Sequence, residues 1–187
     1  MPAVCDTTTL SQPHATLQLC SNKLKSLFRS LLDTPPGSPA APSLLAEMHR
    51  FRPWLEQWEQ AFSAFLGSAM PTLPQPDVRR CRVLKANHLS MLILASVGGV
   101  RDVHFEPFGA DFKAIVGLAG AILDADRKAS TTPDVSPKSA VCEKREVGLG
   151  AGKGDVMTLA DPLKVVVSCC TDAGVRSRGA RLLQRLS

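Results

Sequence analysis

Phe112, Ile115, Val116, Ala119, Ile122 and Leu123 recur at separations of three, four, seven, ten and eleven residues. At 3.6 residues per turn, those positions form one apolar side of a helix. Asp111 stands where it would cap such a helix. The same period runs through most of the chain. From Ala15 to about Asp33, residues Leu17, Leu24, Leu27, Phe28, Leu31 and Leu32 share a face, with Lys23, Lys25 and Arg29 off it. A second segment takes Ser43 as its cap and runs through Leu44, Leu45, Met48 and Phe51. Beyond Pro53 it continues through Leu55, Trp58, Phe62 and Phe65, so Pro53 implies a kink or two consecutive helices. A third spans about Asp77 to Val97, with Val78, Cys81, Leu84, His88, Leu92 and Ala95 on one face. The last starts near Asp172 and lines up Val175, Gly179, Leu182, Leu183 and Leu186. Arg178, Arg181 and Arg185 lie on one flank of it and Arg176 on the other. Val165, Val166 and Val167 have strand character, but one strand would have no partner. The expected fold class is all-α, a helical array.

Breaks between the periodic segments set the organisation. TPPGSPAAP (34–42) is expected to end the first helix as a linker or long loop. Gly67 and the PTLPQP stretch end the second segment, and Gly98-Gly99 the third. From Arg127 to Asp155 the chain is polar and rich in Gly, Pro and Ser, and is expected to be mobile. The resulting division is an N-terminal helix with a Pro-rich linker (1–42) and a helical domain (43–187) carrying a mobile insert at about 127–156. Hydrophobic residues make up 44%, enough for a core, while aromatics are 5% with no Tyr, so the core is expected to be aliphatic. The net charge of +5 is dispersed and singles out no acidic partner. No run of about 18 apolar residues occurs, so no membrane span is expected. MPAVCDTTTLSQPH lacks the basic start and apolar centre of a secretory leader, which implies an intracellular chain with reduced thiols.

The chemistry-bearing residues fall short of any site. Of the six cysteines (5, 20, 81, 142, 169 and 170) only Cys169 and Cys170 are close, and no C-x2-C occurs. Buried or semi-buried free thiols are expected. GLGAGKGD (148–155) looks like a phosphate loop, but Val147 stands where the first Gly belongs and Gly154 where a hydroxyl is needed. It is expected to be flexible linker, and it has no dinucleotide fingerprint spacing either. His14, His49, His88 and His104 make no metal-binding pair, and His88 on an apolar face is expected to be a hydrogen-bonded core residue. Glu56 and Glu59 are expected to lie on a solvated helix face, and no G-x-S-x-G elbow is present. No catalytic, cofactor-binding or metal-binding residue is nominated, and the chain is not expected to be an enzyme.

A resemblance goes further. Residues 162–183, PLKVVVSCCTDAGVRSRGARLL, resemble a motif of the regulatory region of fungal zinc-binuclear-cluster (C6) transcription factors, P-L-x-x-V-x-[ST]-x-C-R-D-P-x-[IV]-R-R-x-A-x-x-L-L. Pro162, Leu163, Val166, Ser168, Cys170, Asp172, Val175, Arg176, Leu182 and Leu183 fall in register. LEQWEQAFSAFL resembles the family's L-x-x-W-x-x-x-F segment through Leu55, Trp58 and Phe62. FEPFGADFKAIVGLAGAIL resembles a further one through Phe108, Phe112, Ile115, Val116, Leu118, Ala119, Ile122 and Leu123. The resemblance covers about residues 43–187. Thr171, Ala173, Ser177 and Gly179 depart from the motif, and the defining C-x2-C-x6-C cluster is absent from these 187 residues.

What the resemblance implies is an all-helical regulatory region, a nuclear location and control of a metabolic gene set, possible secondary metabolism included. With no zinc cluster, no sequence-specific DNA contact carries over, so the expected partners are other transcription regulators. A truncated relic of a longer factor is a variant of the same expectation. The alternative is a small helical accessory protein or enzyme of a biosynthetic pathway. The residues expected to matter, all structurally, are Trp58, Phe62, Phe112, Ile115, Pro162, Leu163, Cys170, Asp172, Arg176, Arg178, Leu182 and Leu183. Asp172, Arg176 and Arg178 are expected to form ion pairs that fix the docking of the last helix.

Overall fold

All regular structure in the computed structural model, which describes residues 9–35, 37–96, 105–131 and 157–186, is helical. The α-helices are α1 (Ser11–Asp33), α2 (Ala40–His49), α3 (Phe51–Ala69), α4 (Gln75–Ala95), α5 (Gly109–Thr131), α6 (Ala160–Cys169) and α7 (Ala173–Gln184). Short 3-10 turns at Met70–Thr72 and Glu106–Phe108 lead into α4 and α5. Among the described residues no helix is long and apolar enough to cross a membrane.

Two clusters of buried side chains share α4 as a common wall. One joins Leu17 and Leu24 of α1, Met48 of α2, and Trp58 and Phe62 of α3 to Cys81, Leu84, Met91 and Leu94 of α4. The other joins Ala86, Leu89 and Ile93 of α4 to Phe112, Ile115 and Val116 of α5, Leu163 and Val166 of α6, and Leu182 of α7. A helix that serves two cores must be apolar around most of its circumference. The single stripe expected for this helix was therefore too narrow. Every residue from Ala86 to Met91 is buried, whereas Val78 and Leu92 of the expected stripe are only half-buried.

The Pro-rich stretch 34–42 is shorter as a connection than expected. α2 begins at Ala40, so Pro42 sits in its first turn and Ser43 is not its cap. A proline there costs little, because the first N–H groups of a helix have no intrahelical partner anyway. The connection is a turn closed by the Ser38 N–H donating to the Pro35 carbonyl at 3.1 Å, with Gly37 at φ 81°. That turn position requires a positive φ and so favours glycine. α1 then folds back onto the same core as α2, α3 and α4. The described helix of the N-terminal region thus shares a core with the next three.

Pro53 acts as expected. α2 ends at His49 and α3 starts at Phe51, which puts the missing N–H in the first turn of a new helix. In α5 all six stripe residues are buried, between 0% and 9% exposed. Asp111 lies inside its first turn rather than at its cap, because the 3-10 turn at Glu106–Phe108 feeds the helix from Gly109. α5 continues to Thr131, so the start of the expected mobile insert is helical. The rest of it, GLGAGKGD included, lies outside the described residues, as do Cys5, Cys142 and His104. The Val165–Val167 run is helical, in α6. Leu32 (55% exposed) and Leu186 (39% exposed) leave the faces expected for them.

Candidate functional site

The motif segment 162–183 forms a helical hairpin, α6 and α7, docked on α5 and α4. Pro162 falls in the first turn of α6 and is buried with Leu163 and Val166 on the inner face. Cys170 ends α6 in extended geometry and is 3% exposed. Its carbonyl accepts from the Arg176 guanidinium at 3.2 Å. Asp172 caps α7: Oδ1 accepts from the Gly174 N–H at 2.8 Å and the Val175 N–H at 3.1 Å. These two backbone donors hold its carboxyl below the ordinary carboxylate range. The expected ion pairs among Asp172, Arg176 and Arg178 are therefore replaced. Asp172 and Arg176 each bond to backbone, which neutralises unpaired groups of the turn. Arg178 lies over Gly120 of α5.

Gly179 is the close approach in this hairpin. A Cβ built there would stand 3.0 Å from Val166 Cγ1. The departure from the motif's Ala thus coincides with tight packing of α7 on α6. Leu182 is buried as expected, while Leu183 is half-buried. Where the hairpin meets α5, a shallow groove of about 320 Å³ runs between α5 and α7, with Lys113 and Arg178 beside the Asp172 cap. Arg178 and Arg181 are exposed, whereas Arg185 reaches Asp124 at 3.4 Å.

Trp58 and Phe62 fall in the other core, away from the hairpin. Their rings stack at a centroid distance of 4.7 Å, and Trp58 also stacks on His88 at 5.1 Å. The Trp58 Nε1–H donates to the Pro13 carbonyl at 3.2 Å, which ties the start of α1 to α3. The resemblance residues thus fall into two groups on opposite sides of α4. Phe112, Ile115, Leu163, Cys170 and Leu182 pack together, and Trp58 and Phe62 do not join them.

His88 is the buried, hydrogen-bonded histidine expected, and Glu59 and Lys85 are its neighbours. His88 is 2% exposed, and its Nε2–H donates to the Leu55 carbonyl at 2.9 Å. Its Nδ1 faces Glu59 Oε2 at 3.3 Å, without an aligned hydrogen bond at either atom. Glu59 is held from the other side by Lys85. Burial pushes the His88 imidazole below its ordinary value, against the opposing pull of the Leu55 carbonyl and Glu59. Neutral His88 beside a paired Lys85–Glu59 leaves no net charge in the core, which is the arrangement low-dielectric burial favours. Glu59 is therefore not simply a solvated-face residue. With Nε2–H committed to a backbone carbonyl, His88 has no ring donor left for a substrate.

The described cysteines, Cys20, Cys81, Cys169 and Cys170, carry free thiols. Burial pushes Cys20 up to about 11, and raises Cys81 and Cys169 as well, which keeps them protonated and poor as nucleophiles or ligands. Among the described residues no group of three or more His, Cys, Asp and Glu side chains is placed to hold a metal ion. No family model, curated protein or solved structure matches the chain.

Proposed function

We propose that the chain is a transcription-regulatory module of the kind found in the regulatory region of fungal C6 factors, acting in the nucleus on a metabolic gene set through contacts with other regulators. The observation that supports it is the sorting of the motif segment. Leu163, Val166, Cys170 and Leu182 point into one core and Asp172 caps the following helix, so the motif describes one folded hairpin. Its outer face carries Arg178 and Arg181, with Lys113 across the groove from Arg178. Such a cationic face suits an acidic segment of a partner regulator. Sequence-specific DNA reading is assigned to the partner, because these 187 residues hold no C-x2-C-x6-C cluster.

Transcript and metabolite profiles of a strain lacking the gene test the proposal. A coherent set of changed transcripts supports it, and the paired Arg178→Glu, Arg181→Glu variant should fail to restore that set while remaining folded. Level transcripts with one accumulating intermediate would replace it by an accessory or enzymatic role in a pathway. Purified chain should give no sequence-specific shift of DNA at moderate salt, where non-specific phosphate binding fades.

A further inference from the structure

A cavity of about 220 Å³ lies between α1, α4 and α6, away from the α5–α7 groove. Its walls are apolar: Leu24 and Phe28 from α1, Met91 and Leu94 from α4, and Val165 from α6. An apolar cavity of about 150 Å³ is known to take a benzene ring, so this one has room for an apolar body of about six to ten carbons.

Two further features give the cavity a chemical polarity. Ser21 lines it, is 1% exposed, and its hydroxyl has no hydrogen-bond partner. A mid-helix serine commonly satisfies its hydroxyl on the carbonyl one turn back, and Ser21 does not. Its neighbour Ser90 does, by donating to the Asn87 carbonyl at 2.8 Å. On the solvent side stand Lys25, Asp161 and Lys164, all lining the same cavity. Lys25 pairs with Asp161, and Lys164 lies 3.9 Å from the other oxygen of that carboxylate. Two ammonium groups against one carboxylate leave a single positive charge at the mouth. Lys25 sits one helical turn from Ser21 on the same face of α1, so the charge and the unpaired hydroxyl are neighbours.

We propose that this cavity binds a small monocarboxylate, with its apolar body among Leu24, Phe28, Met91 and Leu94 and its carboxylate toward Lys25 and Lys164. The volume fixes the size of the body, and the excess ammonium fixes the sign of the head. A dianion would outweigh the single excess charge, and a longer chain would not fit. The inference is independent of the regulatory role proposed above: it shares α6 with the hairpin but uses neither α7 nor its arginines.

Isothermal titration calorimetry of the full chain with octanoate tests it, beside 1-octanol as the uncharged control of equal length. Saturable binding of one octanoate per chain is expected, with 1-octanol weaker. Lys164→Glu turns the mouth net negative at an exposed position and should weaken octanoate by about fivefold or more. Ser21→Leu fills the cavity and should abolish binding. The Lys164→Glu arm stands even where Ser21→Leu fails to fold. Absence of saturable binding up to about 10 mM overturns the proposal. So does octanoate binding that is equal in wild type and Lys164→Glu, which would place the ligand elsewhere. Equal affinity for 1-octanol overturns the carboxylate specificity.

Discussion

Gly179→Ala puts two opposed effects on one atom. In the interior of α7, replacing glycine by alanine favours the helix by about 0.8–1 kcal/mol. The new Cβ would stand 3.0 Å from Val166 Cγ1, a methyl of a fully buried, β-branched residue. Val166 has one preferred rotamer in a helix and cannot swing away. Relief must come from separating α6 and α7, an overpacking cost of about 1–3 kcal/mol. The clash wins, and a net loss of about 0.5–2 kcal/mol is expected. Val166→Ala alone removes two buried methyl groups and should cost about 2 kcal/mol. In the double variant the new Cβ meets only ordinary contacts, 3.5 Å from Val166 Cβ and 3.7 Å from Val167 Cγ2. The pair should therefore be less destabilised than the sum of the singles by about 1 kcal/mol or more. Urea unfolding followed by the fluorescence of buried Trp54 and Trp58 measures all four proteins. In a chain of this size 1 kcal/mol moves the melting temperature by about 2–4 °C. Stabilisation by Gly179→Ala with simple additivity would refute the close approach, because it is what an open helix surface gives.

Other expectations follow from the core and the caps. Folded-state protonation of His88 is suppressed by burial, so the unfolded chain binds more protons as pH falls below the ordinary histidine value of 6.5. Stability should therefore be level above that pH and decline below it, toward the lowered folded value; melting temperatures between pH 7.5 and pH 5.5 check the sign, and His88→Gln should flatten the slope. Glu59→Gln removes the negative charge facing Nδ1 and should lower the His88 titration further, as read by NMR of the imidazole. Asp172→Ala should lower the melting temperature while Asp172→Asn, which keeps an acceptor for the Gly174 and Val175 N–H groups, should not. Leu182→Ala should cost about 2–5 kcal/mol, whereas Leu186→Ala should stay within about 0.5 kcal/mol, in line with 6% and 39% exposure.

How far the fold could be read in advance depended on how many cores each helix serves. α5 faces one core, so its stripe was legible residue by residue. α4 faces two, and its polar residues hide the fact: Asn87 and Ser90 fall off the stripe that carries His88 and look like a solvent face in sequence. They are buried because each has an internal partner. The Asn87 amide donates to the Val83 and Thr158 carbonyls at 2.9 Å each, which also fastens residue 158 to the centre of the fold. The valine run of α6 illustrates the same limit. Local β-preference amounts to at most about 1 kcal/mol, and burying Leu163 and Val166 in a helical face outweighs it. TPPGSPAAP misleads in the other direction, since proline disrupts a helix interior and not its first turn.

The hairpin and the His88 cluster divide along one physical line. Asp172 was legible as a helix start because a cap acts within three residues of itself. Its ion pairs were not, because the sequence shows charges and not the backbone donors that compete for them. A carboxylate already holding two N–H groups gains little from an exposed arginine, and an arginine that reaches a helix-terminal carbonyl satisfies it at no cost in charge. Glu59 and His88 were each visible, as were the spacings of Leu55 to Glu59 and of Lys85 to His88 on their own helices. What decides that Glu59 meets both Lys85 and His88 is the register in which α3 crosses α4. That register is set by side chains packed at the crossing, Leu55, Trp58, Phe62, Cys81 and Leu84. Apolar packing thus fixes the electrostatics here: a shift of one turn along α4 would keep the core apolar and leave Glu59 half-buried without its lysine.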